Sequence, residues 1–214
     1  MPSALPRTLL IFAILLSLGL GAAAASPPAC DIEPAPDAHP APDVTSSLPG
    51  QSGIPGQSAL LDFVASVTIR GTERFSAADN FQEHQPTGQL QISWLGHNFR
   101  QNFLGKIEGH VSAGELDIYR LRRSAHDANI IASLGRQLET TLYDVWTLLN
   151  CQPQGEQGAL LTDATPNIFY VRGSTGVIWS VDAVWSGAGW EIGASSLDDP
   201  RPWRFGRQII SRRP

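Results

Sequence analysis

The stretch NIFYVRGSTGVIWSVDAVWSGAGWEIGA, residues 167–194, alternates large apolar and polar side chains and is broken twice by glycine-bearing turns. A period of two is the mark of a strand with one buried face, and turns this short join strands as antiparallel neighbours. The stretch therefore demands a sheet with one dry side and an apolar layer to cover it. Val177, Trp179, Val181, Ala183 and Trp185 fall on one side of the middle strand, and Ile178, Ser180, Asp182 and Val184 on the other. Trp190, Ile192 and Ala194 likewise oppose Glu191, Gly193 and Ser195. Burying each indole contributes roughly 2–3 kcal/mol. A carbohydrate-stacking platform would instead set the aromatics among polar neighbours on the wet face, so the expectation is a core face.

The rest of the chain supplies such a layer. LLDFVASVTIRG alternates with Leu61, Phe63, Ala65, Val67 and Ile69 on one side, and QLQISWLG does so with Leu90, Ile92 and Trp94. Both are predicted strands. The period then lengthens. Phe99, Phe103, Leu104 and Ile107 share a helical face that Gly109 ends, and DANIIASLG gives a short helix closed by Gly135. QLETTLYDVWTLLNCQ sets Leu138, Leu142, Val145, Trp146 and Leu149 on one stripe. Between them, VSAGEL matches a capping box, with Ser112 as N-cap, Glu115 at the third helical position and Val111 and Leu116 as staple. The cap predicts a helix through DIYRLRRS, although that stretch also alternates. A last strand is expected over 207–211. Strands, then helices, then strands predict an α+β fold, an antiparallel sheet with a central helical segment packed on one face.

The N-terminus speaks to destination. A basic Arg7, the apolar run TLLIFAILLSLGLG and the small residues AAAAS read over residues 1–25 as a signal peptide. Cleavage is simplest between Ala25 and Ser26, with an uncleaved membrane anchor as the rival. Residues 26–58 hold half of the 16 prolines, with Ala, Asp, Gly and Ser between them, and are predicted to be a disordered spacer. Residues 59–214 then form one α+β domain, and the product is expected to be periplasmic or secreted. Export permits disulfides, but Cys30 and Cys151 sit in a tail and at a helix end, and both are read as free thiols.

Chemistry is sparse. The net charge of −5 argues against a nucleic-acid partner. No HxxxH or CxxC occurs, so no metal or cofactor is expected, and no G-x-S-x-G elbow is present. The acids Glu108, Glu115, Asp117 and Asp127, lying among Lys106, Arg120, Arg122 and Arg123, read as a solvated helical charge pattern. The best candidate surface is DDPRPWRFGRQIISRRP, where Arg201, Arg204, Arg207 and Arg212 interleave with Trp203. Guanidinium groups clamp carboxylates and phosphates and stack on aromatics, so this segment is the expected binding surface for an anionic envelope component or a protein partner.

LGHNF with Phe103 and Glu108, then DANIIASLG, ETTL, NIFYVR, Gly189 and Trp190, Trp203, GRQ and the Ser211–Arg212 pair carry a resemblance. Over residues 95–212 the chain resembles a set of uncharacterised bacterial proteins. The resemblance implies a shared fold and no nameable activity. The expectation is an exported, non-enzymatic binding module of the bacterial cell envelope. The alternative is an exported hydrolase with its site near His97, His110 and Cys151, whose thiol and imidazoles are the residue types of a nucleophile and base.

Overall fold

The computed structural model describes residues 31–34, 59–84, 86 and 89–214. The apolar run expected as a signal, and most of the expected spacer, lie outside them. In chain order the elements are β1 (Asp31–Pro34), β2 (Leu61–Ile69), β3 (Phe75–Ser76), α1 (Ala77–Asn80), β4 (Ile92–Leu95), α2 (His97–Phe103), β5 (Ile107–Glu108) and β6 (Gly114–Leu121). There follow α3 (Asp127–Leu134), β7 (Glu139–Thr140), α4 (Leu142–Asn150), β8 (Asn167–Arg172), β9 (Ile178–Trp185), β10 (Trp190–Ser196) and β11 (Gln208–Arg212).

The chain is a mixed α and β structure built on one large sheet, with strand order β1-β2-β6-β11-β8-β9-β10-β4 and β7 alongside β8. The hairpins β8–β9 and β9–β10 are antiparallel, as their short turns require. The sheet as a whole is mixed, because β11 lies parallel to β8 and β4 parallel to β10. The C-terminal strand is thus inserted in the middle, antiparallel to β6 on its other side.

Successive strand residues point to opposite faces, and both faces are covered. On one, Phe169, Val171, Val181 and Ile210 pack with Phe99 and Phe103 of α2 and with Leu142, Val145, Leu148 and Leu149 of α4. On the other, Ile168, Tyr170 and Ile209 meet Ile130 and Leu134 of α3. The helical layer expected on a single face is therefore divided between two. The sequence neighbours Ile168 and Phe169, and Ile209 and Ile210, are all fully buried, one of each pair per face.

The indole side of the C-terminal hairpins is largely dry. Trp190 is fully buried, its Nε1–H donating to Gln152 O at 2.9 Å, and Trp185 meets it edge-on with centroids 5.6 Å apart. Gly155, with φ +71°, lies where an added Cβ would stand 2.1 Å from the Trp185 ring, so only glycine fits beneath it. Trp179 is half-buried against the same cluster.

Four local expectations are corrected. The segment after Ser112 is not a helix. It is β6, hydrogen-bonded on both sides by β2 and β11, with Leu116, Ile118 and Leu121 fully buried. Two ladders of tertiary hydrogen bonds outweigh a local cap. A capping box does form, but at Thr141 and Asp144, where the Thr141 hydroxyl accepts from Asp144 N–H and the Asp144 carboxylate from Thr141 N–H. The Glu108 carboxylate accepts from the N–H groups of Leu142 and Tyr143, both at 3.0 Å, so each free donor of the first turn of α4 has a partner. Three of the four acids read as solvated are buried, Glu108, Asp117 and Asp127 being 8%, 3% and 3% exposed, whereas the Glu115 side chain is partly exposed.

Trp94 is the third correction. The register passes from Trp190–Ile92 to Glu191–Trp94, so Ser93 is an extra residue in β4 and Trp94 turns to the face of Glu191. Its indole is 50% exposed rather than aligned with Ile92 in the core. The fourth concerns Cys151, which is disulfide-bonded and not free. The chain's only other cysteine, Cys30, lies outside the described residues and directly precedes β1. That strand is paired along β2, Asp31 opposite Thr68 through Pro34 opposite Ala65. Part of the expected spacer is thus tied to the sheet by main-chain bonds, which sequence distance could not reveal.

The N-terminal cap of α4 is held from the far end of the chain. Arg212 Nη1 donates to Asp144 Oδ1 at 2.5 Å, and the Asp144 side chain is wholly buried. Burial pushes the Asp144 carboxyl up, against its backbone bond to Thr141 and the charge of Arg212. Replacing Arg212 by Met leaves that carboxylate without its cation, and urea unfolding at pH 7 is expected to show a loss of about 3 kcal/mol. Replacement of the exposed Arg204 by Ala is expected to change stability by less than about 0.5 kcal/mol.

Candidate functional site

The site follows from the route of the chain. From the end of β10 the backbone must pass over β9 and β8 to reach the central place of β11. Residues 197–207 make that crossing on the α3 face. Midway, Trp203 and Ala125 exchange main-chain hydrogen bonds of 2.9 and 3.0 Å. The Trp203 Nε1–H donates to Asp127 Oδ1 at 2.9 Å, and the Tyr170 hydroxyl donates to the same oxygen at 2.7 Å. Asp127 opens α3, so one buried carboxylate ties a helix, a central strand and the crossing segment together. Desolvation raises its pKa, and the two donors act against that rise.

Between the crossing segment and the sheet lies a cleft of about 650 Å³, lined by Asp127, Asp182, Ser195, Asp199 and residues 201–204 and 207. Asp182 forms part of its floor. It faces Gly193 across the β9–β10 register, and a Cβ on Gly193 would stand 2.7 Å from its Oδ1. The missing side chain is what lets the carboxylate lie down on the sheet. Burial there pushes the Asp182 carboxyl up to about 6, against the opposing pull of its own backbone N–H and the Arg201 charge.

The cations divide into engaged and unengaged. Arg201 donates through Nη2 to Asp199 at 2.6 Å and through Nε at 3.0 Å, and these bonds hold the Asp199 carboxyl down at about 2. Arg204 is exposed, and Arg207 is half-buried. The Nε of Arg207 is buried without a hydrogen-bond partner among the described residues. An orphaned guanidinium nitrogen costs free energy unless something occupies the space beside it.

Of the residues expected from sequence, Arg201, Trp203, Arg204 and Arg207 converge on this cleft. Arg212 does not, because it is spent on Asp144 and on the Ser112 carbonyl. The alternative catalytic set lacks its nucleophile. Cys151 carries no thiol in its disulfide, so it cannot supply a thiolate. His110 lies in the open, 3.4 Å from the exposed Glu73, and His97 begins α2 with its surface exposed. Sequence reading missed Asp127 and Asp182. The only signal for Asp182 was a charged residue in the middle of an otherwise uncharged strand.

Two other hollows are less equipped. One of about 660 Å³ between α3 and the β2–β6 pair is lined by Leu60, Tyr119, Asn129, Ser133 and Gln137, with Arg123 as its only charge. Another is bordered by Arg212 and Arg213, already paired with Asp144, Glu115 and Asp117, and by the exposed Arg136. Among the described residues no group of three His, Cys, Asp or Glu side chains is arranged to hold a metal ion. No family model matches the chain. No curated protein matches it, and neither does any solved structure.

The raised Asp182 carboxyl makes stability depend on pH. Its folded value of about 6 lies above the unfolded value near 4. The native state holds the proton longer, so this group's contribution falls as pH rises from about 4 to 6 and is constant above. Asp182→Asn removes the ionisation. The variant is expected to gain about 1–2 kcal/mol relative to wild type at pH 8 compared with pH 4, read by urea unfolding at both values. Equal differences at the two pH values would show that Asp182 ionises normally.

Proposed function

We propose that the chain is an exported, non-enzymatic binding module of the bacterial cell envelope, and that it holds an anionic partner in the cleft beneath residues 197–207. The observation that carries this reading is the buried, unpartnered Nε of Arg207 beside a cleft whose other charges are largely settled. Asp199 and Arg201 neutralise one another, and Asp127 is answered by two donors. Arg204 and Arg207 line the same cleft and form no ion pair among the described residues, and a carboxylate or phosphate supplies the missing acceptor.

Export rests on the N-terminal apolar run and on the disulfide at Cys151, a bond favoured in oxidising compartments. Binding rather than catalysis is favoured because the cleft holds no Ser, Cys or Lys paired with a base. Among the described residues no helix is long and apolar enough to cross a membrane.

The reading is tested with Arg204 and Arg207 both replaced by Ala. Retention on the isolated envelope fraction is expected to fall at least tenfold, two lost charge-assisted hydrogen bonds being worth several kcal/mol. Wild-type retention is expected to weaken between about 50 and 300 mM salt. Arg122→Ala, which breaks only a surface pair with Asp62, serves as the control. Retention of the double variant equal to that of the control removes the cleft from consideration.

A further inference from the structure

Part of the α3 face of the sheet has no described helix above it. Ile130 and Leu134 of α3 cover the buried residues of β6, β11 and β8. The strip beyond, over β9, β10 and β4, carries Asp182, Glu191, Gly193, Ser195 and Trp94. The β4 bulge brings Trp94 to this strip, and its indole is 50% exposed. The outer edge of the ring stands 2.8 Å from the place of a Cβ on Gly96, and Gly193 Cα is 3.4 Å from that same point. The indole therefore lies beside Gly193, whose other flank is the Asp182 carboxylate. Two glycines keep the strip flat where side chains would fill it. Ser195, two residues along the same face of β10, leads into the cleft and to Arg207.

The geometry points to one continuous groove, from Trp94 over Gly193 and Asp182 to Ser195 and Arg207, that binds a carboxylate-bearing saccharide. A pyranose ring has an apolar C–H face, a rim of hydroxyls and, in a uronic acid, one anionic group. The groove presents the complements in order. A half-exposed indole offers a flat apolar surface that gains by being covered. The Asp182 carboxyl accepts from hydroxyls, and in a desolvated position such a hydrogen bond discriminates strongly against a ligand that lacks the partner. The guanidinium of Arg207, with Arg204 outside it, meets the acid. This inference rests on the anion-binding reading and adds the sugar to it.

The experiment uses the exported chain, calorimetry and the indole N–H signals of the NMR spectrum. The probes are an oligogalacturonate, its fully methyl-esterified form and polyglutamate as a sugar-free polyanion. The acid sugar is expected to bind at least about tenfold more tightly than its ester. Trp94→Ala, at an exposed position, is expected to weaken both sugars about tenfold while leaving the melting temperature unchanged. Arg207→Gln is expected to erase the preference for acid over ester. Asp182→Asn is expected to weaken both sugars and spare polyglutamate. If polyglutamate binds as well as the acid sugar and Trp94→Ala changes nothing, the saccharide inference falls while anion binding stands. Absence of heat and of shifts with all three probes overturns the groove as a site.

Discussion

The placement of β11 between β6 and β8 is the constraint on which the rest depends. The N-terminal strands β1, β2 and β6 and the C-terminal hairpins β8, β9 and β10 share no ladder except through it. Ile209 and Ile210 are fully buried on opposite faces, so the strand joins two apolar clusters as well as two sets of hydrogen bonds. Because β10 ends two strands away, the chain must cross the sheet surface before β11 can form. That crossing creates the cleft. The candidate site is a consequence of topology, and its residues are those that a crossing segment lays over an uncovered sheet.

The interior is held in register by paired charges as much as by apolar packing. Asp144 meets Arg212, and Asp117 meets Arg213 and the Ser66 hydroxyl. Glu108 meets the start of α4, and Asp127 meets Tyr170 and Trp203. Such groups add little net stability over apolar replacements, but a misplaced one would be left unpaired, so they penalise other arrangements. Arg212 and Arg213, at the very end of the chain, lock β11 against the α4 cap and against β2 and β6. Asp127, Tyr170 and Trp203 are distant in sequence and meet at one carboxylate oxygen.

Apolar periodicity made β2, β8, β9 and β10 legible, along with α2 and α3, because one buried face imposes its period on the residues themselves. The errors share a cause. The capping box at Ser112 and the one at Thr141 look alike in isolation, and only the flanking strands of β6 decide that the first goes unused. Trp94 follows the expected alternation until a one-residue bulge turns it outward. Arg212 was grouped with the other arginines by proximity in sequence, yet its partner, Asp144, lies in the first turn of α4, 68 residues away.

Local chemistry by itself determined which segments alternate, where Arg201, Trp203, Arg204 and Arg207 cluster, and that the indoles of the hairpins seek a dry face. Those properties are carried by neighbouring residues and survive without knowledge of the fold. Tertiary structure alone decided that Asp127 and Asp182 join the arginines, that Arg212 leaves them, that α3 faces away from α4, and that Cys151 has no thiol. Each of these depends on strand order and register, which pair residues far apart in the chain, and no local periodicity encodes which strand will be a neighbour.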